Sequence, residues 1–256
     1  MIFNTHTHLN VKQFNETYDQ VIKDSILKGL TKILVVGFNK ETIEKAIMLA
    51  EKYEEVYATV GWHPVDAIYA TEESFKLIEK YIEHPKVLAV GECGLDYHWD
   101  TSPKEVQMKV FKRQIELAIK YKKPLIVHSR DSMKDTYEFL LEEGASEVGG
   151  IMHCYTGSVE MVKDFIGLNF LISLAGPVTF KNAKTPKEVA RIVPLDKLLV
   201  ETDCPYLAPE PIRGKQNKAY YVTYILEEIA KIKEIDLNEL KRITYNNAIK
   251  LFGIGE

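Results

Sequence analysis

Cysteine is scarce, net positive charge is missing, and no apolar stretch is long. The three cysteines, Cys93, Cys154 and Cys204, form no CxxC pair, and an odd set of this kind is a poor disulfide framework that fits a reducing compartment. Acidic residues outnumber basic ones, 37 against 33, for a formal charge of −4. That excludes the protein-wide basic field of a sequence-reading DNA-binding protein, so a nucleic-acid partner would have to be held by local features. No basic N-terminal segment leads into an apolar run, and no stretch approaches the roughly 20 apolar residues of a membrane span. The cytoplasm is therefore the expected compartment, with no membrane association and no obligatory protein partner. Linkers, low-complexity tracts and charge blocks are also missing, so residues 1–256 are expected to form a single domain.

What is present is the composition of an ordinary globular protein, 46% hydrophobic and 27% charged over 256 residues, enough to bury a core without staples. Short β-branched runs alternate with helix-patterned stretches. Eight strands are expected, at 2–8, 32–38, 56–62, 87–92, 125–128, 150–153, 170–173 and 198–203. Between them apolar residues recur at helical spacing, as in Ile43, Ala46, Ile47 and Ala50, or Val110, Ile115, Ala118 and Ile119. One helix is expected to start near Ser102-Pro103, a cap residue before a proline, and two more occupy 220–233 and 237–251. Eight strand-helix repeats at this length imply an α/β fold, a closed (β/α)8 TIM-type barrel, in preference to an open doubly wound sheet. An open sheet would more often carry a glycine-rich phosphate loop after its first strand, and Asn4-Thr5-His6-Thr7-His8 is nothing like one.

The polar residues that stand out sit where these strands end. Strand one ends in His6 and His8, strand four in Glu92, strand five in His128, strand six in His153, and strand eight in Glu201 and Asp203. In a parallel barrel all those ends lie on the rim that carries the active site. A single histidine of this kind reads as well as a hydrogen-bonded core residue, and Glu92 alone as a carboxylate paired with arginine. Together, four histidines and two carboxylates would be costly to desolvate without cations, so His6, His8, Glu92, His128, His153 and Asp203 are expected to hold metal. On strand alternation Asn4 shares the face of His6 and His8, and each cysteine, directly following a ligand, points away into the outer layer as a small apolar residue. His63, in Gly61-Trp62-His63-Pro64, sits on a turn just past strand three and is either a turn histidine or a substrate contact. Arg130, Arg213 and Lys215 are surface charges by default. Arg130 lies two residues past His128 and Arg213 in the loop after strand eight, both places from which a guanidinium can reach an anionic substrate. The tyrosines at 220, 221 and 224 read as helix packing and not as a base-stacking platform.

These residues resemble the TatD family of metal-dependent DNases, within the amidohydrolase superfamily of barrels. The resemblance runs through His6-Thr7-His8, Gly61-Trp62-His63-Pro64, Gly91-Glu92-Cys93-Gly94-Leu95-Asp96-Tyr97, His128-Ser129-Arg130-Asp131, His153-Cys154-Tyr155, Glu201-Thr202-Asp203-Cys204-Pro205 and Arg213-Gly214-Lys215. It implies that His6, His8 and Asp203 hold one metal, that His128 and His153 hold a second, and that Glu92 bridges them. Glu201 would be a further catalytic carboxylate, while His63 and Arg130 would contact a substrate phosphate. The implied substrate is DNA, single-stranded or damaged, and the implied cofactors are two divalent ions, Mg²⁺, Mn²⁺ or Zn²⁺. Two such ions can activate a water for in-line displacement at phosphorus, with Asp203 taking its proton. Family members are associated with exonuclease action on DNA, with abasic-site or RNA cleavage, and in some branches with D-aminoacyl-tRNA deacylation. A metal-dependent deacylase or amidohydrolase is thus the alternative, and a non-catalytic metal-binding barrel the other. The chain departs from the family in having Asn4 where Asp is common, a change that bears on the support of a histidine. It departs again in Gln216-Asn217-Lys218-Ala219, where Arg-Asn-Glu-Pro usually follows.

Overall fold

In the computed structural model, which describes residues 1–255, strands and helices alternate, with two consecutive helices last. The order is β1 (Ile2–Thr7), α1 (Tyr18–Leu27), β2 (Leu30–Val36), α2 (Lys40–Lys52), β3 (Val56–Val60), α3 (Glu72–Ile82), β4 (Val87–Asp96), α4 (Lys104–Tyr121) and β5 (Leu125–Arg130), then α5 (Met133–Glu142), β6 (Gly150–Met152), α6 (Val162–Gly167), β7 (Phe170–Leu174), α7 (Lys184–Ile192), β8 (Leu198–Val200), α8 (Val222–Lys233) and α9 (Leu237–Phe252). Each strand pairs in parallel with the next in sequence, from β1 to β8. The barrel closes where Thr7 bridges Cys204 and where Asp203 N donates to His6 O and His8 N to Cys204 O. Strand alternation divides the apolar residues into two layers. Phe3, Leu34, Leu88, Ile126, Ile151, Leu171 and Leu199 gather with Tyr245, Ala248 and Phe252 of α9, whose Phe252 ring lies 5.6 Å from that of Phe3. Their strand neighbours, such as Ile33, Val35, Val127 and Ile172, pack outward under the helices. Among the described residues no helix is long and apolar enough to cross a membrane.

Several boundaries differ from expectation, and the differences shape the site. β4 does not stop at Glu92 but continues to Asp96, with Cys93, Gly94, Leu95 and Asp96 pairing with Val127, His128, Ser129 and Arg130. Gly94 permits this: its φ is +135°, and a Cβ there would lie 2.0 Å from His128 O, so only glycine lets the strands approach. β6 and β8 end early, at Met152 and Val200. His153, Glu201 and Asp203 therefore stand on the segments that follow, where Cys154 and Asp203 adopt left-handed backbone with φ of 41° and 55°. Helix α4 begins at Lys104 with Pro103 before it, and no side chain caps it. The Ser102 hydroxyl instead donates to Val65 O and accepts from Ile68 N, tying this loop to the one after β3.

Asn4 does not share the face of His6 and His8. The β1–β2 register slips between Asn4 and Thr7, and an extra residue in one strand reverses the faces beyond it. Asn4 instead clasps the closing seam: its Nδ2 donates to Thr202 Oγ1 and Ala219 O, and its Oδ1 accepts from Thr202 N and His6 N. Aspartate has no hydrogens for the first two bonds. Strand alternation also fails for one cysteine. Cys93 and Cys204 are buried in the outer apolar layer, but Cys154, turned by its left-handed backbone, lines the cavity described below.

Candidate metal centre

The slip in β1 aims both imidazoles of His6 and His8 at one point. Their Nε2 atoms lie 3.1 Å apart. Glu92 Oε2 is 3.4 Å from His6 Nε2 and 3.6 Å from His8 Nε2, and Asp203 Oδ1 is 3.7 and 3.1 Å from the same two atoms. Donor atoms tetrahedrally disposed about 2.1 Å from a common centre stand about 3.4 Å apart. Two nitrogens and two carboxylate oxygens at these separations therefore fit a divalent cation. The Nδ1 atoms of His6 and His8 are buried without a partner.

The other oxygen of Glu92 faces a second group. Oε1 lies 3.0 Å from His128 Nδ1, 3.5 Å from His153 Nε2 and 3.5 Å from His63 Nε2. His63 is the odd member. Its Nδ1 accepts from Val65 N at 3.2 Å, which places the proton of the neutral ring on Nε2, and burial pulls its pKa down and keeps the ring neutral. With a hydrogen on Nε2 it donates and cannot ligate. His128 and His153 have their other nitrogens facing further carboxylates. Asp96 Oδ2 stands 2.9 Å from His128 Nε2, and Glu201 Oε1 stands 2.5 Å from His153 Nδ1, close but not aligned as a hydrogen bond. Glu201 Oε1 is fixed by Cys154 N at 2.9 Å. Glu201 could also group with His6 and His153 as a ligand. Because it faces the nitrogen turned away from Glu92, it is better placed to orient that ring, the usual partner of a metal-bound imidazole.

The electrostatics show how much this cluster needs compensating charge. Burial alone would push the Glu92 carboxyl up, but the surrounding imidazoles of His6, His63, His153 and His128 overcome it and hold it well below the usual range. Burial likewise pulls His153 down, and Glu201 and Glu92 reverse this, raising its pKa to about 10. Burial and the nearby His153 charge then push His6 down. One ring is charged at the expense of its neighbour. A bound cation removes the conflict, since a ligating imidazole is neutral.

All of this opens into a cavity of about 780 Å³ whose walls include His8, Glu92, His128, His153, Asp203 and Arg130. The six residues expected as ligands are brought together, with His63 and Glu201 beside them. Arg213 is not brought there: its guanidinium rests 4.2 Å from the Phe180 ring centroid, and it is absent from the cavity wall. Its loop is pinned by Asn217, whose buried amide donates to Thr202 O and Tyr206 O. Asp96 is the functional candidate that sequence reading passed over. It shares a face with Glu92 in β4, a signal hidden by ending that strand at Glu92. Asp96→Asn, which removes the charge and keeps the size, is expected to lower kcat roughly 10- to 100-fold and weaken metal binding comparably. Steady-state kinetics with a metal titration reads both, and unchanged values would show that Asp96 does not orient His128.

The chain is similar to known proteins over nearly its whole length. Residues 3–253 match the family described as TatD related DNase. The chain is 50% identical over 254 residues to the uncharacterized metal-dependent hydrolase YabD of Bacillus subtilis, covering 99% of this chain and all of that one. It is 34% identical to the uncharacterized metal-dependent hydrolase YcfH of Escherichia coli over 99% of this chain and 96% of that one. The crystal structure of the TatD homologue YJJV of Escherichia coli superposes with a TM-score of 0.93 at 26% identity, covering 99% of this chain and 98% of that one. With its barrel, its imidazole and carboxylate centre and these relatives taken together, the chain belongs to the TatD family of metal-dependent hydrolases.

Proposed function

We propose that this hydrolase is a deoxyribonuclease that cleaves phosphodiester bonds in DNA, with single-stranded DNA as its preferred form. The observation that carries the reading is the division of Glu92: one oxygen faces His6 and His8, the other His128 and His153, so that one carboxylate would help to hold two cations. Two divalent ions held there would lower the pKa of a water and neutralise charge on the phosphate oxygens. The imidazole-rich donor set suits Zn²⁺ or Mn²⁺, and phosphate chemistry suits Mg²⁺ or Mn²⁺.

The chain's own groups then have defined work. Asp203, whose Oδ1 stands beside His8, would take the proton of the attacking water on its other oxygen as the water oxygen bonds to phosphorus and the ester oxygen departs. His63 donates from Nε2 to a non-bridging phosphate oxygen. Arg130, exposed on the cavity wall, offers a planar fork to the next phosphate. Glu201 and Asp96 hold His153 and His128 in the orientation the ligands need.

The second reading is acyl hydrolysis of an aminoacyl ester or an amide, which the net charge of −4 favours over a polyanion. The two readings separate on the phosphate contacts. Purified enzyme would be given 3′- and 5′-labelled single-stranded DNA and a D-aminoacyl-tRNA with Mg²⁺, Mn²⁺ or Zn²⁺. Nucleotide release is expected, and His63→Ala and Arg130→Ala are each expected to cut DNA cleavage roughly 10- to 100-fold, the loss of one charge-assisted hydrogen bond. Deacylation without nucleotide release would overturn the proposal.

A further inference from the structure

Exposed large apolar side chains are normal when scattered, but two exposed aromatic rings both line the wall of the cavity. Trp99 is 53% exposed and Tyr206 46%. The chain's other tryptophan, Trp62, is buried with its indole N–H donating to Asp66 O. The difference is not one of loose anchoring. Trp99 N and His98 N both donate to Asp96 Oδ1, while Asp96 Oδ2 meets His128. The His98 ring stands at 90° to the indole, with centroids 5.0 Å apart, and the Arg130 guanidinium lies 5.8 Å from the indole centroid. At the other end, Tyr206 N donates to Asp203 O, and the Tyr206 ring packs 5.9 Å from that of His8. Each ring is therefore tied by its backbone to one end of the centre that Glu92 joins.

Fixed apolar faces left in water beside a charged centre are what an unpaired nucleobase needs. Every base has a π face, so stacking on a ring is tolerant of sequence. A base inside a duplex already has its faces covered. Arg130, alongside the indole, would neutralise the phosphate attached to a base stacked there. We infer that Trp99 and Tyr206 are stacking surfaces for the unpaired bases on either side of the cleaved phosphate, and that these rings select single-stranded DNA. The inference rests on the nuclease reading above and adds to it the residues that choose the strand form.

Intrinsic fluorescence reads the first ring directly, because the only other tryptophan is buried. Metal-loaded enzyme titrated with a short phosphorothioate-linked oligothymidylate is expected to show saturable quenching. An abasic oligomer of the same length should leave the emission unchanged, as should oligothymidylate added to Trp99→Leu, which retains only Trp62. In kinetics, Trp99→Leu and Tyr206→Leu are each expected to raise KM for single-stranded DNA by roughly 5- to 150-fold, with kcat and the KM for abasic DNA little changed, and Trp99→Phe should restore most of the loss. Equal KM changes for abasic and base-bearing strands, or none, would overturn the stacking assignment while leaving the nuclease reading intact. A wild-type enzyme that releases nucleotides from no DNA would overturn both.

Discussion

Glu92→Gln is expected to lower turnover about a thousand-fold or more and to strip the enzyme of bound metal. The expectation follows from how many groups the carboxylate serves. Its two oxygens lie within 3.6 Å of nitrogens from His6, His8, His63, His128 and His153, and it is 3% exposed. Glutamine keeps the shape but replaces one acceptor oxygen by an NH₂ group that points hydrogens at lone pairs. One of the two ligand sets therefore loses its shared atom, and both lose the negative charge that makes binding a cation there favourable. Loss of about 4 kcal/mol of transition-state stabilisation, within what a bound metal supplies, is a thousand-fold in rate. Metal content by mass spectrometry and kcat/KM should fall together, while circular dichroism stays unchanged because the strand pairing of β4 does not use this side chain. A variant that retained turnover within ten-fold and its metal would remove Glu92 from the centre.

The barrel was readable from the sequence because its period is coarse: eight apolar runs separated by helical spacing survive errors of a few residues at every boundary. The convergence of His6, His8, Glu92, His128, His153 and Asp203 followed from the same topology, since a parallel barrel places all strand ends on one rim. Details that depend on a single residue of register were not readable. The slip in β1 turned Asn4 from the face of His6 and His8 to the seam, and Cys154, with its left-handed backbone, came to line the cavity, because strand alternation assumes an unbroken pleat. Asp96 was concealed by a strand four residues longer than its β-branched stretch, Gly94 and the register shift before Cys93 interrupting the pattern. Arg213 lies in a loop without periodicity, and its stacking on Phe180 follows from a contact between distant segments that no local pattern encodes.

Asp203→Asn tests the proton acceptor and separates that role from metal binding. Asparagine adopts the left-handed backbone as readily as aspartate, so the φ of 55° and the bond from Asp203 N to His6 O should persist and the loop should keep its shape. Its amide oxygen can still approach the position that Asp203 Oδ1 holds 3.1 Å from His8 Nε2. What the variant lacks is the negative charge and the capacity to accept a proton from water. Turnover is expected to fall roughly 100- to 10,000-fold, the range of general-base contributions, with KM for single-stranded DNA, the proposed substrate, little altered because Arg130 and the cavity-wall rings proposed to bind it remain. The titration with Mn²⁺ decides the cause. If Asp203 serves only as a ligand, saturating metal restores the rate as the vacant coordination is overcome by mass action. If it accepts the proton, the rate stays low at every metal concentration even though the metal binds. Restoration to within a few-fold of the wild-type rate would assign Asp203 to ligation alone and move the search for the base to Glu201, the other buried carboxylate on the segment that follows β8.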